Sequence, residues 1–172
     1  IKYRKLEREH GVLTKEMQKN WIVSDMIGKG PAMREVFDLV QRVAQATARQ
    51  FTGITVKTIE ELLSDIPQIA NIGSTISELR KRGIVVILAS IQWNFLVEPF
   101  ANKYGFHSYC GTRMKIRDGI LTGEIEDYCT AQDKSLFFLN ACRTLNITLS
   151  DTIAIGDSKS DHPVFQKAGI TI

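Results

Sequence analysis

The stretch "TIAIGDSKSDHPVF", residues 152–165, decides how this chain is read. An apolar run stops at Gly156, two aspartates follow at Asp157 and Asp161, and a helix is predicted to begin after them. Such a run is the pattern of a short strand in a buried parallel sheet. Gly156 permits a tight turn that carries Asp157 out of the strand end. Asp161 lies about one helical turn farther on and can face the same point. Uncompensated charge at the end of a buried strand is costly. Two carboxylates meeting there call for a positive partner, and a hard divalent cation such as magnesium, which takes oxygen ligands, suits the donors.

Outward from this stretch the chain alternates strands and helices. "IVVILAS", 84–90, is a continuous β-branched run, predicted as a second buried strand that ends on Ser90. A helix is expected around 92–104, and "KSLFFLNACRTL" as another. Asp118-Gly119 between two alternating segments predicts a hairpin. "ITI" at the end reads as a third strand. Thr58 with Glu61, and Thr75 with Glu78, have capping-box spacing and are expected to open two further helices. Residues 1–51 read as helical by apolar spacing. The whole predicts an α/β fold, a doubly wound, Rossmann-like parallel sheet over residues 73–172, preceded by a helical segment over 1–72. The core is expected to be incomplete at both ends.

In open parallel sheets ligands sit at the carboxyl ends of the strands. Ser90 offers a hydroxyl there, and the backbone amides after it, Ile91 first, would lie at a helix N-terminus suited to an anion. Lys134 opens a helix and can bring a point charge to the same phosphate. Singly, a strand-end serine is most often a helix cap, a lysine at a helix start is usually solvated, and acidic residues there favour the helix dipole. The order Ser, Lys, Gly-Asp-x-x-x-Asp in an α/β chain points instead to one phosphate site.

Bulk properties agree. The chain has 172 residues, 44% hydrophobic and 24% charged, with a net charge of +3. That balance gives no argument for nucleic acid, and no apolar run approaches the roughly 20 residues of a membrane span. Three cysteines far apart, without a C-x-x-C pair, read as reduced thiols of a cytoplasmic protein rather than a structural zinc site.

These residues carry a resemblance. "VVILAS", "QDKSLFF" and "IAIGDSKSD" resemble the second, third and fourth motifs of the haloacid dehalogenase superfamily. "RDGILTGEI" resembles a hairpin of its phosphoserine-phosphatase-like branch. The resemblance implies a hydrolase of small phosphorylated metabolites that works through an aspartyl-phosphate, with magnesium as cofactor. By motif, Ser90 and Ile91 would bind phosphate, Lys134 would neutralise its charge, and Asp157 would ligate magnesium, with Asp161 as ligand or support. Residues 1–72 would be the helical cap, where Arg34, Arg42 and Arg49 are candidates to grip a substrate carboxylate. The nucleophile motif of the family, Asp-x-Asp-x-Thr, does not occur in these 172 residues and is expected upstream of Ile1. Gln92 stands where the branch often has glycine, which could narrow the phosphate pocket. Residues 22–47 also resemble the opening of a sigma-54-dependent activator ATPase domain, but no G-x-x-x-x-G-K-[ST] follows. Three readings stay open: a phosphatase, an incomplete relative serving as a binding or regulatory module, and a fusion carrying an activator-like fragment.

Overall fold

The computed structural model describes residues 31–172, with side chains at Glu35 and from Asp38 onward. Residues 1–30, including the start of the activator-like stretch, lie outside the described residues. In order come α1 (Pro31–Arg49), α2 (Val56–Ser64), α3 (Ile72–Lys81), β1 (Ile87–Trp93) and α4 (Asn94–Tyr104). The hairpin β2 (Ser108–Arg117) and β3 (Ile120–Asp127) follows, then α5 (Ala131–Thr144), β4 (Ile153–Ala154), α6 (His162–Phe165) and β5 (Ile170–Thr171). Residues 48–172 form one compact unit, which takes in residues on both sides of the 72/73 division drawn from rhythm.

Local chemistry explains most boundaries and corrects some. Asp118 and Gly119 both have positive φ, 51° and 75°, the two left-handed residues that a tight hairpin of this hand needs. α2 is capped by Thr55, whose hydroxyl accepts from the Thr58 N–H at 3.0 Å. Thr58 itself is therefore inside the helix, because starting one turn earlier closes the bond from Ile59 N to the Thr55 carbonyl and buries Ile59. α3 likewise starts before Thr75, after Asn71 in the left-handed region at φ 66°.

The α/β class holds: β1 pairs with β2 in parallel, as β4 does with β5, while β2 and β3 are antiparallel. Among the described residues the strands form two sheets, ordered β1-β2-β3 and β4-β5. β1 and β4 are both edge strands. The expectation of strands buried on both faces is corrected here: Ile153 is 59% exposed and Ile155 77%. A two-residue ladder has too few neighbours to cover them.

The core lies under the hairpin. Ala48, Ile59, Phe95, Met114 and Leu121 are buried together, with Phe51, Ile54, Leu63 and Trp93 packed against them. Phe51 meets Phe95 edge-on at 5.1 Å between centroids, and Trp93 stacks on Phe95 at 6.0 Å. Such aromatic pairs add about 0.5–1.5 kcal/mol each beyond burial. Trp93 closes β1 and Phe95 lies in the first turn of α4, so this cluster anchors the connection just after Ser90. No helix of the described residues is long and apolar enough to cross a membrane.

Candidate active site

β1 does not stop at Ser90 but runs on to Trp93, and α4 begins at Asn94. The expected helix N-terminus directly after Ser90 is thus displaced by an irregularity in the ladder between Ala89 and Trp93. Gly111 on β2 makes room for it, since a Cβ there would stand 2.8 Å from the Gln92 carbonyl oxygen. Thr112, buried on β2, donates its hydroxyl to the Ile91 carbonyl at 2.9 Å and accepts from the Cys129 N–H at 3.1 Å. The Gln92 N–H donates to the Ser90 hydroxyl at 3.1 Å. That bond occupies a lone pair of Ser90 and leaves its proton to be donated to an incoming oxygen. Ser90 and Gln92 share the lining of a cavity of about 490 Å³ with Leu63, Leu88, Phe100 and Lys103.

Lys134 reaches its place through the start of α5. Thr130 caps the helix by a reciprocal capping box: its hydroxyl accepts from Asp133 N at 3.2 Å and its N–H donates to Asp133 Oδ2 at 2.8 Å. Lys134 is one turn in and only 5% exposed. Burying an ammonium demands a partner, and its Nζ donates to Asp161 Oδ1 and, at 3.3 Å, to the Ser160 hydroxyl. The neighbouring Ser135 hydroxyl donates to the Pro163 carbonyl at 3.0 Å, tying α5 to α6.

Asp161 closes a single 3₁₀ turn, Lys159–Asp161, after the end of β4. Its Oδ2 accepts from the Ser158 N–H at 3.1 Å and from the Ser158 hydroxyl at 2.9 Å. Gly156 has a steric role: a Cβ there would stand 2.5 Å from Asp161 Cγ. Burial works against ionisation of Asp161, but the Lys134 ammonium and the two Ser158 donors outweigh it, and the carboxyl is held below its usual range. The charge of Asp161 is thus met by lysine, which sequence reasoning had assigned to the phosphate alone. Asp157, by contrast, is exposed.

The all-oxygen donors at this strand end fit a hard cation in kind. They are few, however: among the described residues no cluster of three or more His, Cys, Asp or Glu gathers that could hold a metal ion. A magnesium ion at Asp157 would accordingly keep several of its waters, as this ion prefers. Of the arginine candidates, Arg42 and Arg49 have described side chains. The Arg34 side chain lies outside the described residues. Arg42 is exposed and its Nε donates to the Asp38 carbonyl at 3.2 Å. Arg49 is exposed at the end of α1, with its Cα against Gly123 of β3.

Sequence reasoning missed Thr112, Ser158, Ser160, Cys110 and Cys129. Only the Ser158–Asp161 pair left a local signal, in its capping-box spacing. Ser160 depends on α5 packing against the turn that holds it, Cys129 on the return of the β2–β3 hairpin, and Thr112 and Cys110 on β2 lying beside β1. Cys110 pairs with Ala89 across that ladder and lies 3.8 Å, sulfur to sulfur, from Cys129.

Comparison with known proteins matches this arrangement to one family. The model of haloacid dehalogenase-like hydrolases matches residues 24–166. A phosphoserine phosphatase of Methanocaldococcus jannaschii is 29% identical over 120 residues, covering 69% of this chain and 57% of its own length. A solved phospho-aspartyl intermediate analogue of phosphoserine phosphatase superposes with a TM-score of 0.63 at 26% identity, covering 74% of this chain and 61% of that one. A phosphoserine phosphatase in apo form gives 0.65 at 25% identity, covering 81% and 70%. The chain thus spans about three fifths of the first of these relatives. With a family match over most of its length, the chain belongs to the haloacid dehalogenase-like hydrolases.

Proposed function

We propose that this chain is the core of a magnesium-dependent, cytoplasmic phosphomonoester hydrolase acting on a small phosphorylated metabolite of the phosphoserine kind. The observation that carries the reading is Lys134, an almost fully buried ammonium locked to Asp161 at the end of β4. A cation held this way loses little freedom when a phosphate arrives, so its charge is preorganised for the anion. Ser90, its hydroxyl oriented by Gln92 N–H, donates to a phosphoryl oxygen, and the Ile91 amide is the second donor. Asp157 and, behind it, Asp161 would hold magnesium, which when bound offsets charge on the phosphoryl oxygens. Asp161 serves chiefly to fix the lysine, because both of its oxygens already accept hydrogen bonds.

The reacting carboxylate is proposed to come from an Asp-x-Asp-x-Thr strand outside these residues. Among the described residues the outer edges of β1 and β4 pair with no strand, and with the exposed Ile153 and Ile155 they support a further strand between the two sheets. That aspartate would attack phosphorus, expel the alcohol and form the aspartyl-phosphate that water then hydrolyses. The helical cap over residues 1–72, and Arg34, Arg42 and Arg49 as carboxylate grips within it, remain part of this proposal.

The test is magnesium-dependent phosphate release from a panel of phosphomonoesters including phosphoserine, with Asp157→Asn as control and magnesium binding followed by titration calorimetry. Turnover lost in the control, together with at least tenfold weaker magnesium binding, supports the reading. Magnesium affinity unchanged in Asp157→Asn defeats the metal assignment. Magnesium binding without any turnover would favour the second reading, a family-fold binding module, which the missing Asp-x-Asp-x-Thr recommends.

A further inference from the structure

The three cysteines are scattered in sequence, at 110, 129 and 142, but folding separates them into a pair and a bystander. Cys110 lies on β2 and is partly exposed, whereas Cys129, 8% exposed, is the residue before the Thr130 cap of α5. Their sulfurs are 3.8 Å apart, with the Cys129 thiol donating to Cys110 Sγ. Cys142 is buried within α5.

We propose that Cys110 and Cys129 are a redox-active dithiol, a modification site beside the phosphate-binding elements that closes to a disulfide on exposure to a peroxide. Sulfurs already in contact need approach by only about 2 Å to bond, a distance that side-chain rotation and small backbone shifts can supply. The chemistry is asymmetric. The Cys129 thiol, by donating its hydrogen bond, lowers the pKa of Cys110, and the Ser90 N–H and the Lys134 charge add to this against the cost of burial. The same hydrogen bond and burial push Cys129 up. Cys110 is therefore the thiolate that reacts first, and Cys129 the resolving thiol.

The two steps balance. The Cys110 thiolate attacks one oxygen of hydrogen peroxide, the O–O bond breaks, and Cys110 sulfenic acid and hydroxide result. Cys129 then attacks the sulfenic sulfur, the S–S bond forms, and the sulfenic oxygen leaves as water with the Cys129 proton. Two electrons pass from the pair of sulfurs to the peroxide. The bridge ties β2, where Cys110 neighbours Ser90, to the entry of the helix that carries Lys134. Its effect on phosphate turnover rests on the function proposed above, but its formation does not.

The experiment treats the folded 172-residue chain with stoichiometric hydrogen peroxide, quenches with an alkylating agent, and counts thiols after denaturation with peptide mapping. The expected result is a fall from three free thiols to one, a Cys110–Cys129 linked peptide lighter by two hydrogens, a free Cys142, and full reversal by dithiothreitol. Cys129→Ser should trap the sulfenic acid at Cys110, captured by dimedone, and Cys142→Ser should form the bridge as the parent does. Three thiols remaining, over-oxidation without a bridge, or linkage through Cys142 or between chains would overturn the proposal. Because the readout is covalent, it separates failure of this inference from failure of the phosphatase reading.

Discussion

Replacing Lys134 by methionine removes the cation that answers Asp161 while keeping most of the side-chain volume. The lysine and aspartate side chains are 6% and 14% exposed, so the carboxylate left behind is poorly hydrated. Breaking a buried pair from one side costs about 3–5 kcal/mol. Asp161 keeps both Ser158 donors, at 2.9 and 3.1 Å, which puts the expectation at the low end, about 3 kcal/mol. For a chain of this length that is a fall of about 6–12 °C in melting temperature. Urea unfolding followed by far-UV circular dichroism measures it, in a cycle with Asp161→Asn and the double variant. The double variant should recover about 2 kcal/mol relative to the sum of the singles, because it leaves no uncompensated charge. The pair also has a pH signature. A carboxyl held below its usual range contributes stability that is complete above its unfolded pKa, near 3.9, and is lost as pH falls through the lower folded value. Acidification should therefore destabilise the parent more steeply than Lys134→Met. A cost below about 1 kcal/mol, the scale of a solvated surface pair, would refute the idea that Lys134 is pinned in a buried site.

Gly156→Ala should cost about 1–3 kcal/mol and weaken magnesium binding as well, since its new Cβ would stand 2.5 Å from Asp161 Cγ; equal stability by urea unfolding would contradict that contact. Tyr109 donates its hydroxyl to Glu98, and that bond, with burial and the carboxylate charge, pushes its pKa up to about 12. Burial also pushes Tyr128 up, so ultraviolet titration should show both ionising late, and only the Tyr109 step should move to lower pH in Glu98→Gln. Thr130→Ala removes the cap of α5 and should lower stability by about 1 kcal/mol, a loss that Thr130→Ser largely avoids.

The elements that local chemistry governs were legible in order of sequence. The Asp118-Gly119 hairpin follows from two positions that tolerate positive φ. The strand that ends before Asp157 follows from an apolar run broken at glycine. Helix starts were less legible. Thr55 and Thr58 both satisfy capping rules, and the burial of Ile59 chooses between them. The end of β1 was read three residues short, because the irregularity after Ala89 depends on space that Gly111 leaves on another strand.

By itself, then, the sequence determined an α/β chain with Ser90, Lys134 and the Asp157–Asp161 turn on separate elements, because residue type and spacing act over a turn or a strand at a time. Only the tertiary structure decided which charge answers which. Lys134 and Asp161 are 27 residues apart, and Cys110 and Cys129 are 19 apart. The first meeting depends on α5 packing against the turn after β4, and the second on the β2–β3 hairpin bringing the chain back beside Cys110. No local preference encodes the first contact, and the second needs the strand register as well as the locally encoded Asp118-Gly119 turn. They arise from burying Phe95, Met114 and Leu121 in one core, which sets where each strand end points.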